Sequence, residues 1–432
     1  MTKKVAFSTL GCKLNFSETS TLSQMFADKN YKIVNFNEKA DIYVINTCTV
    51  TANADKKSRQ LIRKAIRLNL DAFIVVIGCY AQLKPKEISQ ITGVDLVLGA
   101  NEKLNVLKYI ENIENKKSPK IYSCDIDKVN NFFPAFSFGD RTRSFLKVQD
   151  GCDYNCTYCT IPLARGKSRN KNIEHTVKQA EKIAQKGAKE IILTGVNIGD
   201  FGKSTNESFF DLIKKLSKVE GIERYRISSI EPNLLTNEII NFVAENKKMM
   251  PHFHIPLQSG SDEILKKMKR RYNTLLFKEK VDIINKKFGQ KAFIGIDVIT
   301  GFPDESDEHF EQTYNFLNSL DISFLHVFTY SDRENTESFK IKNKIDNKTK
   351  EYRSRKLHKL SEKKIIEFYQ KNLNSVHTVL FESQNNKGIM HGFTDNYIKV
   401  AVNYDNSLIN NIFEVKLLSF DNDNNVNIEI LK

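Results

Sequence analysis

The stretch Cys152-Asp153-Tyr154-Asn155-Cys156-Thr157-Tyr158-Cys159 sets three thiols within eight residues, opened by Gly151 and entered from the apolar run Ser144-Phe145-Leu146-Lys147-Val148. Any fold available to this chain must bring those thiols to one point, and that spacing asks for a metal. Three thiolates from one short loop hold three irons of a [4Fe–4S] cube, and the absent fourth ligand leaves one iron free for a substrate. Zinc normally takes four protein ligands, or three plus water, and no fourth Cys or His lies close by in the sequence. A disulfide framework does not suit an odd set, and Val5–Leu10 is too short and too polar for the apolar core of a secretion signal.

Charge and hydropathy narrow the setting. With 40% apolar and 27% charged residues the chain reads as globular, and its apolar runs are strand-sized, far short of a membrane span. Cysteines used as ligands suit a reducing cytoplasm, and the chain has seven cysteines. The formal net charge of +14 points to a polyanionic partner, nucleic acid ahead of membrane, although solvated lysines alone give the same balance.

Residues 1–125 alternate short apolar runs with helical patterns: Val5–Leu10, Ile42–Asn46, Phe73–Ile77 and Val94–Leu98, with helical stretches between them. That βαβα rhythm predicts a doubly wound parallel sheet. Cys12, Cys48 and Cys79 each stand one or two residues beyond a run, at the carboxyl ends of the predicted strands, where open α/β sheets place their ligand crevice. Three thiols converging there predict a second cluster. The plain alternative is buried cysteine used as a small hydrophobe. The helix after Cys48 carries Lys56, Lys57, Arg59, Arg63, Lys64 and Arg67, either an RNA contact or a wet basic face.

From Asn112 to Asp140 the periodicity gives way to Asn, Lys, Ser and Pro with scattered aromatics, and residues 126–140 read as a linker. Cys124 lies there outside any motif, a spare thiol. Over residues 141–372 the apolar runs Glu190–Thr194, Arg224–Ile230, His252–Leu257, Phe293–Thr300 and Phe324–Tyr330 join the run into Cys152, predicting a partial (β/α)6 barrel with its chemistry at the carboxyl ends of the strands. Polar groups and glycines stand there, in Thr194-Gly195-Val196-Asn197, Ser229-Ile230-Glu231-Pro232, Pro256-Leu257-Gln258-Ser259-Gly260 and Asp297-Val298-Ile299-Thr300-Gly301. Taken singly, each is ordinary turn chemistry. Residues 347–371 form a basic helical pattern expected to cover the open side of the barrel. Residues 373–432 turn all-β, with five short runs that predict a small OB-like barrel. Residues 374–432 hold four lysines against seven acidic residues, so phosphate contacts are not expected to concentrate there.

The Cys-x-x-x-Cys-x-x-Cys loop with Tyr158 before its last Cys resembles that of radical S-adenosylmethionine enzymes. With Ile161-Pro162-Leu163-Ala164-Arg165-Gly166-Lys167-Ser168-Arg169 and the motifs Gly11-Cys12-Lys13-Leu14-Asn15, Asn46-Thr47-Cys48-Thr49-Val50 and Gly78-Cys79-Tyr80-Ala81-Gln82, nearly the whole chain resembles the methylthiotransferases. The resemblance implies two [4Fe–4S] clusters, on Cys12/Cys48/Cys79 and on Cys152/Cys156/Cys159. It also implies S-adenosylmethionine bound by Thr194, Gly195, Asn197, Glu231, Gln258, Arg270 and Asp297, and a TRAM-like C-terminal domain. Gly11-Cys12-Lys13-Leu14-Asn15 resembles the branch that modifies C2 of N6-threonylcarbamoyladenosine at position 37, beside the anticodon. Implied partners are the tRNA anticodon stem-loop, an electron donor such as a flavodoxin or ferredoxin, and a sulfur source. The alternatives are a methylthiotransferase for isopentenyladenosine or a ribosomal protein, and a non-enzymatic iron–sulfur sensor that binds RNA. Relatives usually carry a proline-rich turn where this chain has Thr329-Tyr330-Ser331-Asp332-Arg333-Glu334-Asn335-Thr336, which leaves that loop's conformation open.

Overall fold

The computed structural model describes residues 2–111, 119–139, 142–420 and 425–431. The first alternating region forms a six-stranded parallel sheet of β1 (Lys4–Thr9), β2 (Lys32–Val34), β3 (Ile42–Thr47), β4 (Phe73–Gly78), β5 (Leu96–Leu98) and β6 (Lys120–Tyr122), in the order β2-β1-β3-β4-β5-β6. Alternate residues of β3 and β4 feed two cores: Tyr43, Ile45, Ile74 and Val76 on one face, Ile42, Val44, Val75 and Ile77 on the other. Helices cover both faces, as a doubly wound sheet requires. The edge strands β2 and β6 escape the sequence pattern because each has three mostly exposed residues, leaving no apolar run to read.

Of the segment read as a break, residues 112–118 and 140 lie outside the described residues. Lys120–Tyr122 supplies β6, Ile126–Lys128 a short 3-10 turn, and Phe136 an antiparallel bridge to Leu146.

The second region holds β7 (Arg143–Lys147), β8 (Glu190–Thr194), β9 (Arg224–Ile227), β10 (His252–Gln258), β11 (Phe293–Thr300) and β12 (Phe324–Thr329). They form two parallel three-stranded sheets, β7-β8-β9 and β10-β11-β12, joined by parallel bridges Tyr225–Met249 and Ser229–His254. Among the described residues β7 and β12 do not pair, so the barrel is open along one side. Helix α1 (Lys13–Asp28) lies against β7, and the helix Asn347–Asn372 lies along β12. Much of that last helix's basic character is structural. Arg353 pairs with Glu305 at 2.7 Å, Lys356 with Glu311 at 2.6 Å, and Lys364 donates to the carbonyls of Asn318 and Leu320.

The third region is a closed barrel in the order β13-β14-β15-β17-β16, from β13 (Val376–Phe381), β14 (Ile389–Thr394), β15 (Lys399–Asn403), β16 (Ile412–Phe420) and β17 (Val426–Ile430). Residues 421–424, between β16 and β17, lie outside the described residues. This small barrel docks on arginines projecting from the large one. Arg224 donates to Thr378 Oγ1 at 2.8 Å, Arg226 to the carbonyls of Thr394 and Asp395, each at 2.7 Å, and Arg143 pairs with Glu382 at 2.8 Å. Part of the domain's acidity therefore meets protein cations rather than solvent. Among the described residues no helix is long and apolar enough to cross a membrane.

Candidate active site

The first thiol set is assembled by the sheet. Its strand order reverses between β1 and β3, and Cys12 and Cys48 follow those two strands, with Cys79 after β4. Side chains lace the three strand ends together: Asn15 Nδ2 donates to the carbonyls of Leu10 (2.8 Å) and Thr47 (3.1 Å), Asn46 Nδ2 to that of Asn15 (3.0 Å), and Thr47 Oγ1 to that of Ile77 (2.6 Å). Gly78 has φ +98°, and a Cβ there would stand 2.4 Å from the Thr47 carbonyl oxygen, so only glycine lets β4 end this close to β3. Cys48 and Cys79 are buried and Cys12 is exposed to the cavity described below. Burial, with Cys79 and Cys12 adding, pushes the Cys48 thiol up to about 12; the Cys79 thiol is also raised, by burial, with the Arg165 cation opposing.

The second set is held by its own loop. Gly151 has φ +73°, and a Cβ there would fall 2.0 Å from the Lys167 carbonyl oxygen; Cys152 N donates to the Gly166 carbonyl at 2.9 Å. Three donors reach sulfur: Tyr154 N to Cys152 Sγ (3.4 Å), Ile161 N to Cys159 Sγ (3.5 Å) and Arg270 Nη1 to Cys156 Sγ (3.1 Å). Arg270 also binds Glu231, whose carboxyl is raised by burial against that guanidinium. Burial pushes Cys152 and Cys159 up to about 12, the neighbouring thiols adding to it. In both sets neighbouring thiols lie close enough to raise one another.

A buried ionic network ties the sets together. Glu18 of α1 meets Lys103 at 2.6 Å and Lys147 at 2.8 Å; Asp150, just before the second loop, meets Lys147 at 2.7 Å and Arg165 at 2.8 Å; Arg165 Nη2 donates to Asn15 Oδ1 at 2.5 Å. Burial alone would raise both carboxyls, but Lys103, Lys147 and Arg165 hold Glu18 well below the usual range. Lys147, Arg165, Lys103 and Arg169 do the same for Asp150. The loop beginning at Thr329 adds a second tie. Buried Arg333 donates to Thr49 Oγ1 (2.7 Å) and Asp55 (2.8 Å), next to Cys48, which settles the conformation that the missing prolines had left open.

Between the sets lies a lumen in two cavities. The smaller, about 350 Å³, is lined by all three thiols of the second set and by Asn197, Glu231, Gln258, Arg270 and Asp297. The larger, about 860 Å³, carries Cys12 and Lys13 on its wall, with Thr194 and Gly195. Ile161, Val196, Ser229 and Phe328 line both. Five of the seven residues assigned to S-adenosylmethionine thus surround one cavity, and Thr194 and Gly195 face the other. Thr194 Oγ1 is engaged with the Ile192 carbonyl at 3.2 Å, and a Cβ on Gly195 would stand 2.7 Å from Ile198 Cγ2, so this glycine serves packing of the loop. Asn197 Nδ2 donates to Asp200 at 3.0 Å.

Several site residues carry no local sequence signal. His254 Nε2 lies 2.7 Å from Asp297 Oδ1 and its Nδ1 2.8 Å from Ser229 Oγ; with His326 they cluster where the two cavities meet. Tyr154 accepts from Asn233 at 2.8 Å while Arg271 covers its ring at 3.9 Å. Burial lowers the Lys13 ammonium, with Arg143 and Arg226 acting in the same sense and Tyr397 and Asp297 against it. A lysine after a cysteine at a strand end is the only hint the sequence offers of it.

Residues 146–317 match the Radical SAM superfamily, and residues 4–99 match the family described as Uncharacterized protein family UPF0004. Threonylcarbamoyladenosine tRNA methylthiotransferase MtaB of Bacillus subtilis (strain 168) is 41% identical over 424 residues, 96% of this chain and 93% of the relative. The chain belongs to the radical S-adenosylmethionine methylthiotransferases. The protein of the same name from Aquifex aeolicus (strain VF5) is 41% identical, over 92% of this methylthiotransferase and 96% of the relative. The tRNA-2-methylthio-N(6)-dimethylallyladenosine synthase of Alkaliphilus oremlandii (strain OhILAs) is 32% identical over 96% and 90%. In fold, the methylthiotransferase is like the radical S-adenosylmethionine methyltransferase TsrM from Kitasatospora setae, with a TM-score of 0.56 at 13% identity over 90% of this chain and 81% of that one. It is an enzyme, a transferase.

Proposed function

We propose that this enzyme places a methylthio group on C2 of N6-threonylcarbamoyladenosine at position 37 of tRNA. The supporting observation is that the three thiols of the second set line one cavity and Cys12 of the first set lines the adjoining one, within a chain 41% identical to relatives named for that reaction. The relative named for the dimethylallyl base stands lower, at 32%. In our reading residues 1–125 form the module of the first cluster, 126–140 the linker, 141–372 the radical domain and 373–432 a TRAM-like barrel, working in the cytoplasm.

The donor sets fit iron–sulfur clusters. Each offers three sulfurs, and burial raises the thiols of Cys48, Cys79, Cys152, Cys156 and Cys159 so that a cationic centre must displace their protons, which suits a [4Fe–4S] cluster with one open iron. When bound, the clusters and S-adenosylmethionine supply one-electron cleavage to a 5′-deoxyadenosyl radical and the sulfur to be transferred. The chain's own residues orient and enclose. Arg270, fixed by Glu231, holds Cys156 Sγ through its Nη1 donor. Glu231, Gln258 and Asp297 give acceptors to the smaller cavity. Tyr369, Phe393 and Tyr397 add aromatic wall to the larger one, surface that does not hold water. For RNA, α2 (Ala52–Leu68) exposes Lys56, Lys57, Arg63, Lys64 and Arg67 beside the first set, a footprint for phosphates near a single-stranded loop.

The test is anaerobic reconstitution followed by turnover on an anticodon stem-loop that carries N6-threonylcarbamoyladenosine. Mass analysis of the nucleosides is expected to show the 2-methylthio product. Modification of an isopentenyladenosine stem-loop in its place would overturn the reading.

A further inference from the structure

The larger cavity has a charge pattern that the reaction as described above does not use. Its wall holds Lys13, Arg165 and Lys399 together with His252, His254 and His326, and no aspartate or glutamate. Arg165 is committed to Asp150, Glu18 and Asn15. Among the described residues the ammonium groups of Lys13 and Lys399 make no ion pair and no hydrogen bond. The charged and titratable groups facing Lys13 are Tyr397, Arg143, Asp297 and Arg226, and the last three have nearer partners: Arg143 in Glu382 (2.8 Å), Asp297 in His254 (2.7 Å) and Arg226 in Glu190 (2.8 Å). Lys13 is half-buried on this wall and Asp297 is already paired with His254, so the cavity has a place for one negative group against its ammonium. That group belongs to whatever fills the cavity.

Lys13 follows Cys12 directly and is the first residue of α1, so its ammonium is tied to the thiol set that delivers sulfur, and the free N–H groups of the helix start add to the positive potential. Lys399 stands on β15, in another module. C2 and N6 of adenine share the Watson–Crick edge of one ring, so a base presenting C2 to the Cys12 side keeps its N6 substituent inside the same cavity. On N6-threonylcarbamoyladenosine that substituent ends in a carboxylate. Resting on the substrate reading above, we propose that Lys13 binds the threonyl carboxylate of the substrate base and so selects it over adenosines with uncharged N6 groups.

The experiment compares two stem-loops, one with the threonyl carboxylate and one with the same group as its carboxamide. Each is offered to the unaltered enzyme and to the Lys13→Gln, Lys13→Arg and Lys399→Gln variants, and kcat/KM for methylthiolation is read alongside iron content. The unaltered enzyme is expected to favour the carboxylate by about 10- to 100-fold, the range for a charge-assisted hydrogen bond at a desolvated site. Lys13→Gln removes that preference at equal iron content, Lys13→Arg keeps it, and Lys399→Gln keeps it. If the unaltered enzyme treats both stem-loops alike, or Lys13→Gln slows both equally, the assignment is overturned; the second result would point to a backbone phosphate or to the neighbouring cluster. Loss of the preference in Lys399→Gln alone would also overturn it. An unaltered enzyme that leaves the natural base untouched overturns the substrate reading, and this inference with it.

Discussion

The two thiol sets reach similar chemistry by opposite routes. Cys152, Cys156 and Cys159 come from one loop whose shape is fixed by Gly151, by donors to sulfur and by Arg270. Cys12, Cys48 and Cys79 come from three loops and meet only because the sheet runs β2-β1-β3-β4 and Asn15, Asn46 and Thr47 lace its ends. A local set is a property of a few residues, whereas a dispersed set is a property of a domain. The first is therefore expected to fail by loss of a ligand, and the second also by loss of packing far from any thiol.

The largest effect expected is on the local set. Replacing Cys152, Cys156 and Cys159 together by Ala is predicted to abolish cleavage of S-adenosylmethionine and to halve the iron bound after reconstitution, from about eight per chain. Iron analysis beside chromatography of 5′-deoxyadenosine reads both. Unchanged iron would break the comparison at its first term.

Next comes the network between the sets. Glu18→Gln takes the nearest carboxylate from buried Lys103 and leaves buried Lys147 with Asp150 alone, and the cost expected for breaking a buried pair is about 3–5 kcal/mol. Chemical denaturation measures it. Because the carboxyls of Glu18 and Asp150 lie lower in the folded chain than in the unfolded one, the unfolded chain takes up more protons in acid. Their stabilisation is present at neutral pH and is lost as pH falls below the usual carboxylate range. Glu18→Gln is accordingly predicted to flatten the acid limb of stability against pH, and an unchanged limb would show that Glu18 carries none of it.

The glycines separate the sets more sharply. Gly78→Ala and Gly151→Ala each force a Cβ onto a carbonyl oxygen at positive φ, at roughly 2–4 kcal/mol of strain and displacement. Gly151→Ala is predicted to impair formation of 5′-deoxyadenosine, and Gly78→Ala to spare it while impairing transfer of the methylthio group. Equal damage by both would mean that the sets do not act separately.

The smallest effect concerns RNA. Exchanging Arg63 and Lys64 for Glu is predicted to lower the slope of log K against log salt by about two units, as two lost phosphate contacts require. The same exchange at Arg355 and Lys356 is expected to do less, since Lys356 already pairs with Glu311 at 2.6 Å. Filter binding across a salt series distinguishes them. A larger change at the second pair would move the footprint away from the dispersed set.

The local set and the six barrel strands were legible in the sequence because each rests on a local pattern, a thiol spacing or an apolar run closed by polar residues and glycine. The dispersed set was legible at one remove, through strand ends and the rule for ligand crevices in α/β sheets. The strands β2 and β6 were not, since three mostly exposed residues carry no pattern. Nor were the partners of Arg165 and Arg333, or the freedom of Lys13. Those depend on which distant carboxylates arrive, and nothing within a few residues of 13, 165 or 333 encodes that. Nor does charge alone sort the basic residues of the helix Asn347–Asn372: Lys350, Arg353 and Lys364 are buried, while Lys348, Arg355, Lys359 and Lys363 are exposed.

The division of labour between the sets is tested most directly in one reaction vessel. With Cys12, Cys48 and Cys79 all replaced by Ala, the enzyme is given S-adenosylmethionine, a reductant and the stem-loop bearing N6-threonylcarbamoyladenosine, and both 5′-deoxyadenosine and the 2-methylthio nucleoside are quantified. Continued formation of 5′-deoxyadenosine with no methylthio product is expected; a methylthio product at the unaltered rate, or loss of 5′-deoxyadenosine at full occupancy of the Cys152 loop, would contradict that division.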